Sequence, residues 1–287
     1  MDQIVQFGPQ DRLVGVLSGA ALPASAPTLV LPSAGLLPRT GPFRLHVELA
    51  RRLAQRGVRT FRFDVPGVGE APRLPGLGPP EATLAALDHL ALAYGCRQFA
   101  VGGLCSAADA GWHVALADPR VRAVVMLDGI SFVGPWFHFA RWARLMRRPA
   151  RDWPGLVGRW WGRNRPGLSA AAPTLDMGDY REWPSRASAQ RQFADMLARN
   201  VRSLWIYTGG YADRFLHPRQ FAWSFGAAVN DERVAMHYWP DCDHNFYDRT
   251  HRDRLLDTME NWLIATLIDT SIGTSPIDAI EPTGART

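Results

Sequence analysis

Short apolar runs alternate with longer amphipathic stretches along most of the chain. Ile4 to Phe7 and Leu13 to Leu17 are two brief runs with polar and glycine-containing residues between them, the pattern of an opening β-hairpin. Thr28 to Leu31 is continuously apolar and reads as a buried strand. Phe43 to Arg56 has helical spacing, and Thr60 to Asp64 reads as the next strand. Pro80 to Tyr94 (PEATLAALDHLALAY) is a helix with proline at its start and Gly95 just past its end. Arg97 to Val101 (RQFAV) then reads as a strand and Ser106 to Leu116 (SAADAGWHVAL) as an alanine-rich helix. Arg122 to Leu127, Val201 to Tyr207 and Arg233 to Trp239 are further strands, and Tyr247 to Leu267 is a long amphipathic helix. Strands alternating with helices predict an α/β chain whose doubly wound, mostly parallel sheet is covered on both faces. The 287 residues suffice for one such core plus an insertion, with no internal repeat.

The pattern divides the chain into a first part of the core over 1–130, an insertion over 131–186, a second part of the core over 187–270 and a tail over 271–287. The tail is rich in Gly, Pro, Ser and Thr and is expected to be flexible. The insertion holds six of the eleven tryptophans, and ten arginines against four acids. Lying after the strand that follows the alanine-rich helix, it is expected to form a helical cap, or lid, over the ends of the strands. Most of its tryptophans are expected to pack the cap onto the core. Trp136, Trp142, Trp160 and Trp161 are the candidates for substrate binding, as parts of an apolar acyl tunnel with a cationic rim.

All 32 basic residues are arginine, a bias expected of GC-rich coding, so the formal charge of +5 is weak evidence for a polyanionic partner. Nucleic-acid binding has no recognition helix, zinc-finger spacing or aromatic sheet signature behind it. No apolar run approaches the roughly 20 residues of a membrane span, and the N-terminus lacks a basic-then-apolar signal, so a cytoplasmic location is expected. Cys96, Cys105 and Cys242 make neither a disulfide framework nor a zinc spacing, and no metal or cofactor is expected.

The chemistry centres on Val101-Gly102-Gly103-Leu104-Cys105-Ser106-Ala107-Ala108, which reads as a strand, a tight turn carrying a nucleophile, and a helix. Small residues must flank such a turn, because backbone and helix approach each other there. Cys105 as nucleophile has Gly103 two residues before it and Ala107 and Ala108 two and three after. Shifting to Ser106, the alternative nucleophile, puts Leu104 and Asp109 at the crowded positions. A free cysteine is ordinarily a buried, inert thiol. What lifts Cys105 above that is the order of its candidate partners. Asp213 follows the strand ending at Tyr207 on a glycine-rich turn, at the sheet edge where ligands meet open α/β sheets. Asp128, at the end of the strand Arg122 to Leu127, is the alternative acid. His244 stands on the loop after Arg233 to Trp239, a placement the other seven histidines lack.

These segments, with Ser33-Ala34-Gly35, Arg39, Gly41, Pro42 and the run Arg62-Phe63-Asp64-Val65-Pro66-Gly67-Val68-Gly69, resemble the α/β-hydrolase superfamily. Within it the chain is similar to the cysteine-elbow hydrolases associated with exosortase A systems and to serine-aminopeptidase-like hydrolases. It departs from the family pattern at Glu70-Ala71, where a serine often follows the glycines. The resemblance implies an α/β-hydrolase fold and a Cys105, Asp213, His244 triad, with an oxyanion hole from the N–H of Ser106 and one near Gly35 or Leu36. The expected activity is hydrolysis of an ester or thioester through an acyl-enzyme, the substrate carried on CoA or an acyl carrier protein. The alternatives are an acyltransferase or thioesterase-like cyclase, since an acyl-thioester enzyme is open to nucleophiles besides water, and a non-catalytic protein that binds an acyl ligand.

Overall fold

The strands buried at nearly every position lie between two layers and form the centre of the sheet, polar residues such as Arg59, Thr60 and Arg62 being buried among them. β3 (Thr28–Pro32), β4 (Arg59–Phe63) and β5 (Phe99–Leu104) are buried along their whole length, and β6 (Val121–Leu127) and β7 (Arg202–Thr208) nearly so. In the computed structural model, which describes residues 2–147, 181 and 183–268, they join β1 (Asp2–Phe7), β2 (Leu13–Ser18) and β8 (Val234–Trp239). The eight strands form one sheet in the order β1-β2-β4-β3-β5-β6-β7-β8. β2 runs antiparallel to both neighbours and all other pairs are parallel.

Helices cover both faces. α1 (Leu45–Gln55) buries Leu45, Leu49 and Leu53, and the C-terminal helix, labelled α7 below and spanning Arg249–Leu267, buries Leu255, Met259 and Leu263 in the same apolar layer. The other layer takes α2 (Pro79–Tyr94), most of α3 (Ser106–Ala117) and α5 (Arg186–Ala198). Its densest part is aromatic, with Trp112, Phe193, Trp205 and Phe225 in mutual contact and the Trp205 and Phe225 rings 4.7 Å apart. α4 (Pro135–Met146) follows β6, and α6 (Arg219–Phe225) follows β7.

The sheet matches the expected architecture, with differences at the edges. The strand foreseen at Arg97 to Val101 starts at Phe99 and continues to Leu104 through Gly102 at φ 123° and Gly103 at φ 140°, conformations that only glycine adopts freely. Gly111 of α3 lies so close to Gly102 that a Cβ on it would collide with the Gly102 backbone, which sets α3 down directly on the sheet, and a Cβ on Gly102 would strike the Val125 carbonyl of β6. α5 was not foreseen: polar residues interrupt its apolar positions, and it buries only Ala189, Phe193, Met196 and Leu197. Of the expected cap over 131–186, α4 is described. The stretch 148–180, with Trp153, Trp160 and Trp161, lies outside the described residues, as does the tail 271–287. No helix among the described residues is long and apolar enough to cross a membrane.

Candidate active site

Cys105 is the single residue between β5 and α3, and its backbone is held at φ 55°, ψ −120°. That conformation disfavours any side chain and costs about 1–3 kcal/mol. Two contacts hold it: Cys105 N–H donates to Leu127 O at 2.8 Å, and Arg181 Nη2 donates to Cys105 O at 3.2 Å. The turn lifts the thiol to the carboxyl ends of the parallel strands, where the loops after β6, β7 and β8 converge.

His244 comes from the loop between β8 and α7. Its Nδ1–H donates to Asp128 Oδ2 at 2.7 Å, which leaves Nε2 for the Cys105 sulfur, to which the ring is also hydrogen-bonded. Asp128, fully buried at φ 48° just past β6, receives two more bonds. Thr208 N–H donates to its Oδ1 and Thr208 Oγ1–H to its Oδ2, both at 2.7 Å. Three donors on one buried carboxylate fix its position.

The acid expected at Asp213 is therefore corrected. Its side chain is 71% exposed and its ion-pair partner among the described residues is Arg214, 3.9 Å away. The glycines before it have another use. A Cβ at Gly209 would strike the Pro240 carbonyl and one at Gly210 the His244 backbone, so this pair lets the histidine loop lie against the end of β7. Gly210 N–H donates to Cys242 O at 3.0 Å in that contact. The turn delivers His244 to Asp128 and carries Asp213 past the site to its rim.

Ser106 opens α3, where a backbone N–H has no intrahelical acceptor and stands at the positive end of the helix, next to the thiol. Its hydroxyl oxygen accepts the Gly35 N–H at 2.8 Å. This bond commits the Gly35 donor expected for an oxyanion, and it ties the loop after β3 to the elbow. Leu36, the other candidate on that loop, is 84% exposed. The oxygen of Ser106, the alternative nucleophile, is thus engaged by Gly35, while the imidazole meets Cys105.

Several residues of the site carried no sequence signal, and Arg181 matters most. Its buried guanidinium makes a two-pronged pair with Asp109, the Nη2 to Oδ1 distance being 2.7 Å. It also donates to the carbonyls of Cys105 and Asp128, each at 3.2 Å, and to Tyr211 Oη at 3.3 Å. Arg181 thus clamps the two strained residues that carry the thiol and the carboxylate. Tyr211 stacks beside His244, and Trp183 Nε1 donates to Asp109.

Burial by itself would raise the Cys105 thiol, but the hydrogen bond to His244 and the charges of Arg181 and His244 outweigh it and leave the thiol below its ordinary value. Burial would likewise lower His244, yet its bonds to Asp128 and Cys105, with the charges of those two, push it up to about 10. Both shifts favour charge separation between the thiol and the imidazole. Removing the Arg181 charge should raise the pKa of the thiol, since a neighbouring cation favours the thiolate. Iodoacetamide alkylation followed against pH should show that rise in Arg181→Met and a smaller one in Arg181→Lys. An unshifted profile in Arg181→Met would mean that the guanidinium only ties the backbone.

Asp241, Cys242 and His251 lie with their ligand atoms within 4.8 Å of one another. Asp241, however, is already shared by His251 at 3.4 Å and Arg254 at 3.5 Å, and burial first, then the Asp241 charge, pushes the Cys242 thiol up to about 11. The group reads as an ion-paired loop and not as a cation site.

A cavity of about 190 Å³ opens on Cys105 and His244, walled by Arg181, Trp183, Tyr211 and Arg214. A larger one of about 840 Å³ lies against α4 and the loop after β7. Of the four tryptophans expected to bind substrate, Trp142 lines this larger cavity, whereas Trp136 stacks on His217 at 5.1 Å under Arg219. Trp160 and Trp161 lie outside the described residues.

No protein-family model and no curated protein sequence matches the chain. Its fold does match solved structures. An α/β-hydrolase candidate of unknown function from Agrobacterium tumefaciens aligns at 13% identity and TM-score 0.59, over 96% of this chain and 100% of that one. An esterase from Pyrococcus furiosus aligns at 11% identity and TM-score 0.56, over 93% and 91%. The esterase domain of a Rhodothermus marinus protein aligns at 17% identity and TM-score 0.54, over 93% and 99%. At such identities the likeness establishes the fold, which is that of the α/β-hydrolases.

Proposed function

We propose that the chain is an acyl hydrolase acting on an ester or thioester, with Cys105 as nucleophile, His244 as acid and base, and Asp128 as the carboxylate that orients the imidazole. The observation that carries this is the relay from the Cys105 sulfur through His244 to the buried Asp128 carboxylate, with a 2.7 Å bond at Nδ1, mounted on an elbow whose backbone is strained at the nucleophile. A protein that only bound an acyl ligand would have no need of a strained thiol paired to a histidine. Two proteins that share the fold are esterases, in agreement with this reading.

The steps follow from the charges. The thiolate adds to the carbonyl carbon, forming a C–S bond, and the carbonyl oxygen becomes an oxyanion that the Ser106 N–H receives. The oxyanion collapses, the bond to the leaving oxygen or sulfur breaks, and the imidazolium gives its Nε2 proton to the leaving group. Once sulfur is acylated its negative charge is gone, and one of the causes holding the His244 pKa high goes with it. The imidazole then takes a proton from water, the resulting hydroxide attacks the acyl carbon, and cleavage of the C–S bond returns the acid and the thiolate. Asp128 holds the ring in place throughout and stabilises the imidazolium.

Intact-protein mass spectrometry after incubation with short and long acyl thioesters tests the proposal. The expected result is an acyl adduct that maps to Cys105 and decays to free acid, and that survives Ser106→Ala. No adduct and no free acid from any ester or thioester would overturn it. Amide in place of acid when an amine is added would identify acyl transfer.

A further inference from the structure

The cavity at the thiol, about 190 Å³, has room for a reacting ester group and little more. Binding sites for whole small molecules usually run from about 300 to 1,000 Å³. The neighbouring cavity of about 840 Å³ falls in that range. The two meet at Asp213, which lines both, so the loop after β7 is their common wall: Gly210, Tyr211 and Arg214 face the thiol, and Ala212 and Leu216 face the larger space.

The opposite wall of the larger space is one face of α4. It combines Phe137, Trp142 and Leu145 with the guanidinium groups of Arg141 and Arg144. Among the described residues neither arginine is within ion-pair distance of a carboxylate. Arg144 is instead steadied by the Tyr238 hydroxyl at 3.2 Å, which among the described residues engages one of its donors. Two exposed arginines without an ion-pair partner among the described residues, beside an aromatic and aliphatic surface, fit a ligand that is apolar along its length and anionic at one place. Asp213 fixes where that place is. Its exposed carboxylate at the junction disfavours an anion close to the scissile carbonyl, and Arg214 at 3.9 Å offsets it only in part. The anion belongs at the α4 end.

We infer that the substrate is an acyl ester or thioester bearing a phosphate or carboxylate remote from the scissile carbonyl, held by Arg141 and Arg144. This rests on the acyl-hydrolase reading above. Phosphate and carboxylate share the same recognition chemistry, and the test separates them.

The test compares kcat/KM for matched donors: hexanoyl-pantetheine against hexanoyl-4′-phosphopantetheine for the phosphate, and hexanoyl-pantetheine against the mono-pantetheine thioester of adipic acid for the carboxylate. Wild type should prefer at least one anionic donor by roughly tenfold or more, the size of one charge-assisted hydrogen bond. That preference should weaken with added salt and fall toward unity in the Arg141→Gln, Arg144→Gln double variant. The ratio between donors is the readout, so a general loss of folded protein does not imitate the effect. Equal rates for charged and neutral donors in wild type, or a preference that survives in the double variant, overturn the inference. If p-nitrophenyl acetate is still cleaved through Cys105 in that case, the acyl-hydrolase reading stands. If no donor is cleaved through Cys105, p-nitrophenyl acetate included, that reading falls and the inference with it.

Discussion

Cys105→Ala should abolish turnover of every donor, lowering kcat by on the order of 10⁴-fold or more, the usual cost of deleting a nucleophile whose partners act only through it. The loss should come without a large loss of stability, because the substitution removes one sulfur from a half-buried position and leaves the backbone bonds to Leu127 and Arg181 in place. Cys105→Ser is the more instructive variant. A hydroxyl is not ionised at neutral pH, so the ion pair with His244 disappears and the reaction must begin with proton transfer. The imidazole also loses an anionic neighbour, and its pKa should fall from about 10 toward the ordinary histidine range. Steady-state kinetics and an NMR titration of the His244 ring measure the two effects. Full activity in Cys105→Ala, above all together with a dead Ser106→Ala, would put the nucleophile one residue further along.

Asp128→Asn should cost nearly as much, roughly 10⁴-fold in kcat, the scale on which a triad fails when its carboxylate becomes an amide and the histidine takes the wrong tautomer. An amide at this position can still accept the Thr208 N–H, but its NH₂ group would face both Thr208 Oγ1 and His244 Nδ1, where the carboxylate now accepts. A buried polar group left without a partner costs about 1–3 kcal/mol, so a lower melting temperature should accompany the kinetic defect. The high His244 pKa should drop as well, since the Asp128 bond and charge are among its causes. Asp213→Asn changes an exposed carboxylate that does not touch the imidazole, and its effect on kcat should be far smaller. A severe Asp213→Asn with a mild Asp128→Asn would return the acid to the loop after β7.

The two acids show how much of the site the chain reveals. Both follow a strand and both lie where ligands meet an open sheet, so position along the chain does not separate them. The choice is made by contacts across the sheet. Thr208, at the end of β7, donates twice to Asp128 at the end of β6, and the Gly209-Gly210 pair lets the His244 loop settle above them. The same glycines, seen only in sequence, suggest a turn that presents Asp213. Ser106 is a similar case. Its place beside the nucleophile can be read directly, but the bond from Gly35, 71 residues earlier, appears only when the loop after β3 is brought to the elbow.

Cys105 itself was legible because the elbow is local. Buried strand, glycines, nucleophile and alanine-rich helix are consecutive, and the close contact of Gly102 with Gly111 joins residues nine apart. The alternation of strands and helices was legible for the same reason, since hydrophobic period reports local burial. The identity of the acid and the clamp by Arg181 depend on groups far apart along the chain: Asp128 and His244 are 116 positions apart, Asp109 and Arg181 72, and Asp128 and Arg181 53. Arg181 is one of ten arginines in its stretch and has no local mark. What the sequence by itself determined was the tight turn that carries Cys105 and the kind of sheet beneath it, because short-range sterics and burial impose both. The tertiary structure alone decided which charges surround the thiol, because electrostatic partners are chosen by distance in space.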